Sequence, residues 1–150
     1  MNLNKTMANG KTILFAEDDQ VLLTSYRRPL EKAGYRVITA SDGLMTMKSL
    51  FLLAPDLLIL DLMLPKFEGE HLLQFIWSPP RLIKIPVIIL SSKSFIEPEY
   101  ELLLKFAAKH LNKQDCTPAI LLETVQDQFS GKLPEEPARM MEQFSSLESN

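Results

Sequence analysis

Three apolar runs of four residues constrain the fold of this chain more than any other feature. They are ILFA at residues 13–16, LLIL at residues 57–60 and VIIL at residues 87–90, and acidic, proline or serine residues bound each of them. A continuous apolar run of this length is typical of a strand covered on both faces, as in a parallel sheet. We therefore predict that these runs form the central strands of a parallel sheet.

Two weaker segments, residues 35–39 and 110–112, mix polar and apolar residues and fit the edges of the same sheet. Apolar residues at helical spacing fill the gaps between the five segments. The first helix contains Pro29, where we expect a bend, and Gly34 fits the position just after its end. The pattern βαβαβαβαβα predicts a doubly wound α/β fold with helices on both faces, in the flavodoxin-like strand order 2-1-3-4-5.

The length of 150 residues suits one domain. We expect a flexible arm at residues 1–10, the folded domain at residues 11–129 and a tail at residues 130–150. Met140 and Phe144 belong to an apolar stripe in the tail that suits a short amphipathic helix; a frayed, disordered tail fits it equally well.

Charge and cysteine content narrow the classes of function. The net charge is -3, which disfavours a nucleic-acid binder that relies on a basic face. No apolar run approaches the roughly 18 residues of a membrane span. The single cysteine, Cys116, cannot form an internal disulfide, which favours a reducing compartment. We therefore expect a cytoplasmic protein.

Carboxylates follow two neighbouring strands of the predicted sheet. Glu17 and Asp18 follow the first strand and Asp61 follows the third, so they meet at the sheet edge where such folds bind ligands. Clustered carboxylates repel unless a cation joins them, and hard oxygen ligands suit Mg²⁺. Ser91 and Lys113 end the fourth and fifth strands at the same edge. Carboxylates, a hydroxyl and a lysine around a metal indicate a phosphoryl site, with Asp61 as its nucleophile.

Three stretches, a glycine and a lysine, in this order, resemble the receiver domains of two-component response regulators. They are ILFAEDD at residues 13–19, PDLLILDLMLP at residues 55–65 with Gly69 after it, IPVIILSS at residues 85–92, and Lys113. Each motif alone is weak, but all of them in order are specific. The resemblance covers residues 11–129 and implies a stand-alone receiver that works as a signalling switch and not as an enzyme.

The resemblance also implies roles for individual residues. Asp61 accepts a phosphoryl group from a histidine kinase or phosphotransfer protein. Glu17, Asp18 and Asp61 hold Mg²⁺, with the backbone carbonyl of Met63 as a further ligand. The phosphorylated protein then binds a downstream protein target.

Two further residues complete the implied pocket. Ser91 hydrogen-bonds a phosphoryl oxygen and reports the modification. Lys113 pairs first with Asp61 and then with the phosphate. Movement of Ser91 shifts the loop after the fourth strand, which biases a two-state element.

The sequence departs from the family pattern at several positions. Gln114 stands where the family has a proline after the lysine, and His110 replaces the aromatic residue that swings on activation. Phe106 replaces a glycine at the turn before the fifth strand, so the fourth helix is expected to run longer. Met63 and Lys93 occupy the two positions that tune the lifetime of the phosphorylated state, and Met63 predicts slow self-dephosphorylation.

Other functions remain open at this point. A pocket that no longer switches would make the chain a constitutive protein-interaction module. An aspartyl phosphohydrolase ranks lower, because Met63 stands where such enzymes have a second aspartate. A flavin-binding protein ranks lowest, because an acidic edge repels a flavin phosphate. A homodimer through the fourth helix, fifth strand and fifth helix is a further expectation from the family.

Overall fold

The computed structural model describes residues 10–65, 69–77, 84–92 and 105–131, with no side-chain description for Gly69 and Glu70. Five strands and four helices lie in these ranges. The strands are β1 (Thr12–Ala16), β2 (Arg36–Ala40), β3 (Leu57–Leu60), β4 (Val87–Ser91) and β5 (Lys109–Asn112). The helices are α1 (Gln20–Lys32), α2 (Gly43–Leu53), α3 (Gly69–Trp77) and α4 (Pro118–Phe129).

The five strands form one parallel sheet in the order β2-β1-β3-β4-β5. This confirms the predicted order, and each strand begins and ends within one residue of its prediction. All residues of β3 and β4 are buried, whereas β5 is only half-buried. The continuous apolar runs lie in the middle of the sheet because both of their faces are covered.

Alternate residues of the strands pack into two separate cores. On one face, side chains such as Phe15 and Ile59 contact Tyr26 of α1 and Val125 of α4. On the other face, side chains such as Leu58 contact α2 and α3. Helices therefore cover both faces of the sheet, as the doubly wound pattern predicts.

Helix α1 begins and ends as its sequence predicts. Asp19 caps it, since its carboxylate accepts hydrogen bonds from the N–H groups of Val21 and Leu22 at 3.0 and 3.1 Å. Gly34 follows the last residues with φ of 104°, a conformation that favours glycine. The helix continues through Pro29, so the proline does not end it.

The segment before β5 differs from its prediction. The sequence predicts a fourth helix that extends through Phe106, which stands where the family has a turn glycine. Residues 105–108 instead form turns and bends, and residues 93–104 lie outside the described ranges. Phe106 is buried with its ring 5.6 Å from the ring of Trp77, so its apolar character serves packing against α3. Residues 1–9 of the predicted arm and residues 132–150 of the predicted tail also lie outside the described ranges.

Helix α2 is apolar on its outer side as well as its inner side. Phe51, Leu52 and Leu53 are exposed near its end.

Within the described ranges, no helix has the length and hydropathy needed to cross a membrane.

The segment between β5 and α4 is tied to α1 by one buried hydrogen bond. The hydroxyl of Tyr26 donates to the backbone carbonyl of Cys116. Burial of the hydroxyl, with the nearby Cys116 thiol, raises the pKa of Tyr26 to about 12. This bond fixes the chain three residues after Lys113.

We predict that Tyr26→Phe lowers the free energy of unfolding by about 1–2 kcal/mol, because it leaves the Cys116 carbonyl buried without its donor. Urea denaturation measures this loss. Tyr35→Phe is the matched control: Tyr35 is also buried, but its hydroxyl makes no hydrogen bond within the described ranges. We expect it to cost less than about 0.5 kcal/mol. Equal losses in both variants would contradict the prediction.

Candidate functional site

Backbone hydrogen bonds extend the sheet by one residue past three of its strands. The N–H of Glu17 donates to Ala40 at 3.0 Å, and the N–H of Asp61 donates to Ala16 at 3.0 Å. The N–H of Lys113 donates to the carbonyl of Ser91, also at 3.0 Å. The residues after β1, β3 and β5 are therefore held by the sheet rather than by a free loop. Sites built on such elements are better defined than sites on loops.

Lys113 joins the two buried carboxylates at this edge. Its Nζ donates a hydrogen bond to Asp61 Oδ2 at 3.0 Å and forms an ion pair with Glu17 Oε2 at 2.8 Å. Glu17 is fully buried, and Asp61 is 2% exposed. A buried carboxylate needs a counter-charge, which Lys113 supplies to both groups.

The charges perturb one another in defined directions. Burial raises the pKa of the Glu17 carboxyl, the ion pair with Lys113 lowers it and Asp61 raises it again, so the net pKa is raised. Burial lowers the pKa of Lys113, but Glu17 and Asp61 together outweigh burial, so its net pKa is raised. The lysine is therefore a cation that is held by two carboxylates.

Three carboxylates come together as the sequence predicts. One oxygen from each of Glu17, Asp18 and Asp61 lies within 4.8 Å of the others. Glu17 and Asp61 are buried while Asp18 is exposed, which leaves one side of the cluster open to water. Glu17 Oε2 is buried, and its partner is the Lys113 amine at 2.8 Å. A hard oxygen set with one open side fits Mg²⁺, which keeps several of its waters.

Met63 and Ser91 lie at the same edge. The N–H of Met63 donates to Asp61 Oδ1 at 2.9 Å, while the Met63 side chain is 55% exposed. Ser91 is fully buried as the last residue of β4, between the ends of β3 and β5. The Asp61 carboxylate therefore accepts a hydrogen bond at each of its oxygens, from Met63 at Oδ1 and from Lys113 at Oδ2.

His110 and Lys93 are the remaining predicted residues. His110 lies on β5 beside Ile89 of β4 and is half-buried, and burial lowers its pKa. Lys93 lies outside the described residues. Its predicted role in lifetime therefore stays a prediction.

The turn after β5 begins at a residue that the sequence pattern does not single out. Asn112 accepts two hydrogen bonds at 3.0 Å, one at its side-chain Oδ1 from the N–H of Gln114 and one at its carbonyl from the N–H of Asp115. The sequence signal for such a turn is an asparagine whose second following residue is not proline and therefore carries a backbone N–H. Gln114 itself is exposed, and Lys113 reaches the carboxylates with Gln114 after it.

Comparisons with known proteins agree on one family. A family model described as "Response regulator receiver domain" matches residues 13–126. The alkaline phosphatase synthesis transcriptional regulatory protein PhoP of Bacillus subtilis is 36% identical over 84 residues, which are 56% of this chain and 34% of that protein. The chain therefore spans about a third of the length of this relative.

Solved structures show the same similarity over most of the chain. The signal receiver domain of a signal transduction histidine kinase from Syntrophus aciditrophicus is 27% identical with a TM-score of 0.69, and the match covers 81% of this chain and 92% of that one. The phosphorylated cyanobacterial phytochrome response regulator RcpA is 26% identical with a TM-score of 0.66, covering 83% and 98%. The matched region contains Glu17, Asp18, Asp61, Ser91 and Lys113, and the chain belongs to the receiver domains of two-component response regulators.

Proposed function

We propose that this receiver domain is a Mg²⁺-dependent phosphorylation switch whose phosphoacceptor is Asp61. The observation that carries the proposal is the position of Lys113, which contacts both Asp61 and Glu17 beside a cluster of three carboxylates. A transferring phosphoryl group spreads negative charge over its oxygens, and its transfer depends on positioning and on nearby cations. The edge of the sheet offers a nucleophile, a lysine cation and a set of metal ligands within one small volume.

The donor is a phosphohistidine of a histidine kinase or of a phosphotransfer protein. A carboxylate oxygen of Asp61 forms the new P–O bond while the P–N bond of the donor breaks. The imidazole keeps the bonding electron pair and takes up a proton. Glu17, Asp18 and Asp61, with the Met63 carbonyl as a further ligand, would hold Mg²⁺, which would supply positive charge beside the phosphoryl group.

Lys113 and Ser91 respond to the added charge. Phosphorylation adds negative charge and strong acceptor oxygens next to the lysine. Lys113 then pairs with the phosphate, and the Ser91 hydroxyl donates to a phosphoryl oxygen. Because the Ser91 carbonyl accepts the Lys113 N–H, the two residues are linked through the backbone as well. The change reaches β5 and His110, whose surface binds the downstream protein target or a second copy of the chain.

The proposal also covers the extent of the receiver unit and the compartment in which it works. We propose that residues 11–129 form the receiver unit and that it works in the cytoplasm, where the single cysteine stays reduced. Receiver domains in general are switches rather than enzymes. Slow self-dephosphorylation fits an exposed Met63 side chain, which cannot orient an attacking water.

Replacement of Asp61 tests the phosphoacceptor. We expect acetyl phosphate with Mg²⁺ to add a single phosphate to the protein, as measured by intact mass, and Asp61→Asn to abolish the adduct. Asp115→Asn is the matched control, because Asp115 is an exposed aspartate near the same edge. The adduct should persist in this control and should disappear without Mg²⁺. The switch is excluded if the wild type takes no phosphate from acetyl phosphate or from a phosphohistidine donor.

Replacement of Asp18 tests the metal site. At a Mg²⁺ concentration of 100 times its Kd, binding to the folded state alone stabilises the protein by about 2.7 kcal/mol. We expect this gain in urea denaturation of the wild type at constant ionic strength. Asp18→Asn should lose most of the gain and should change the stability without Mg²⁺ little, since Asp18 is exposed. An equal gain in both proteins would place the metal elsewhere.

Replacement of His110 tests how stability depends on pH. Burial lowers the pKa of His110 below 6.5. Between this lowered pKa and pH 6.5, His110 is therefore protonated in the unfolded chain and neutral in the folded chain. The contribution of neutral His110 to the free energy of unfolding is complete above pH 6.5. It is lost as the pH falls through the lowered pKa. His110→Phe removes the ionisation and keeps a ring of similar size. From about pH 7.5 to about pH 5.5, the wild type should lose more stability than His110→Phe in urea denaturation; equal losses would contradict this prediction.

A further inference from the structure

We propose that Asn112 is a positioning residue for Lys113. Its side-chain oxygen holds the N–H of Gln114, and this hydrogen bond sets the direction in which the lysine leaves the backbone. The inference rests on the proposed function for its effect on phosphorylation, but its effect on the lysine can be measured separately. Asn112 itself contacts neither the carboxylates nor the atoms that would react.

The direction of Lys113 matters because the lysine has far to reach. β5 is separated from β3 by β4, so the side chain must cross the end of β4 to meet Asp61. Two strand spacings amount to about 10 Å between the strand backbones. Lysine has a flexible four-carbon stem, so the side chain alone does not fix where its amine lies. The backbone at Lys113 must therefore aim the stem toward β3.

Asn112 accepts both of the hydrogen bonds that close the turn around Lys113. The carbonyl of Asn112 accepts the N–H of Asp115 at 3.0 Å, which makes Lys113 and Gln114 the two central residues of a β-turn. Asn112 Oδ1 accepts the N–H of Gln114 at 3.0 Å, which adds a second ring around Lys113. Asparagine suits the first position of such a turn for this reason.

The other side of Lys113 is fixed by the sheet. Its N–H donates to the carbonyl of Ser91 at 3.0 Å, so the peptide before Lys113 continues the pairing of β4 with β5. The peptide after Lys113 carries the Gln114 N–H that Asn112 holds. With both peptides fixed, the Cα–Cβ direction of Lys113 is fixed as well. The Asn112 side chain is the part of this arrangement that a single substitution can remove without touching the sheet.

The donor in this bond belongs to the backbone of Gln114. A proline at this position has no N–H and cannot make the bond. Asn112 and Gln114 therefore act as a pair, in which one residue supplies the acceptor and the other supplies the donor. Removal of either member should have the same effect on Lys113, and removal of both should add little.

The test compares Asn112→Leu, which keeps the side-chain size but has no acceptor, with Asn112→Asp, which keeps an oxygen at the same position. The first measurement is the rate at which an amine-acetylating reagent modifies Lys113, followed by peptide mass spectrometry. Lys109 is exposed on the same strand and serves as the internal reference. We expect Asn112→Leu to raise the Lys113 rate about fivefold, the factor expected from the loss of one hydrogen bond. Asn112→Asp should stay near the wild-type rate.

A second pair of variants removes the same bond from the donor side. Replacement of Gln114 by its α-hydroxy acid, which turns the Lys113–Gln114 amide into an ester, deletes the N–H alone and should raise the Lys113 rate as Asn112→Leu does. Gln114→Ala keeps the N–H and should leave the rate unchanged. This pair keeps the test decisive if Asn112→Leu fails to fold, and thermal denaturation checks folding of every variant.

The second measurement is the rate of phosphorylation by acetyl phosphate with Mg²⁺. Asn112→Leu should lower it about fivefold in the wild type and leave it unchanged in a Lys113→Met background, because Asn112 acts through Lys113. An equal loss in both backgrounds would show a general structural role and would overturn the proposal. Unchanged acetylation of Lys113 in both Asn112→Leu and the ester variant at Gln114 would overturn it too. If the wild type takes no phosphate, the proposed function fails, and the acetylation rates still decide the role of Asn112.

Discussion

The contact of one lysine with two buried carboxylates is the interaction on which the rest of the site depends. Glu17 and Asp61 come from neighbouring strands and are almost without exposure, so their charges need compensation inside the protein. Lys113 supplies it from β5. The cluster nevertheless holds three carboxylates, Glu17, Asp18 and Asp61, against this one lysine. A cluster with unbalanced negative charge is suited to take up a cation.

The sheet makes this arrangement possible by carrying each charged residue one step beyond a buried strand. The order β2-β1-β3-β4-β5 brings the ends of β1, β3, β4 and β5 to one edge. Backbone pairing continues to Glu17, Asp61 and Lys113, so these residues have the rigidity of strands. The apolar runs thus have two effects. They fill both cores, and they deliver the polar residues that follow them to one place.

The sequence predicts the elements whose physical cause is local, and much of the site follows from them. The four-residue apolar runs identify the central strands because full burial demands continuous apolar residues, and Asp19 and Gly34 are recognisable from the needs of helix ends. From the strand order alone, Glu17, Asp18 and Asp61 can be placed together. Phe106 was misassigned, because helical spacing cannot show that a turn packs its ring against Trp77. Pairs such as Tyr26 and Cys116 depend on three-dimensional contacts that spacing does not encode.

The position of Gln114 illustrates how a departure from a family pattern can be compensated locally. Considered alone, the absence of a proline after Lys113 weakens the expectation that the lysine reaches the pocket. The structure places the lysine on Asp61 and Glu17 with Gln114 present, and Gln114 donates an N–H that a proline lacks. Asn112 accepts that N–H, while Tyr26 holds the carbonyl of Cys116 farther along. The segment that carries the lysine is thus fixed at both ends by hydrogen bonds. A substitution at one position of such a segment is therefore informative only together with the residue that pairs with it.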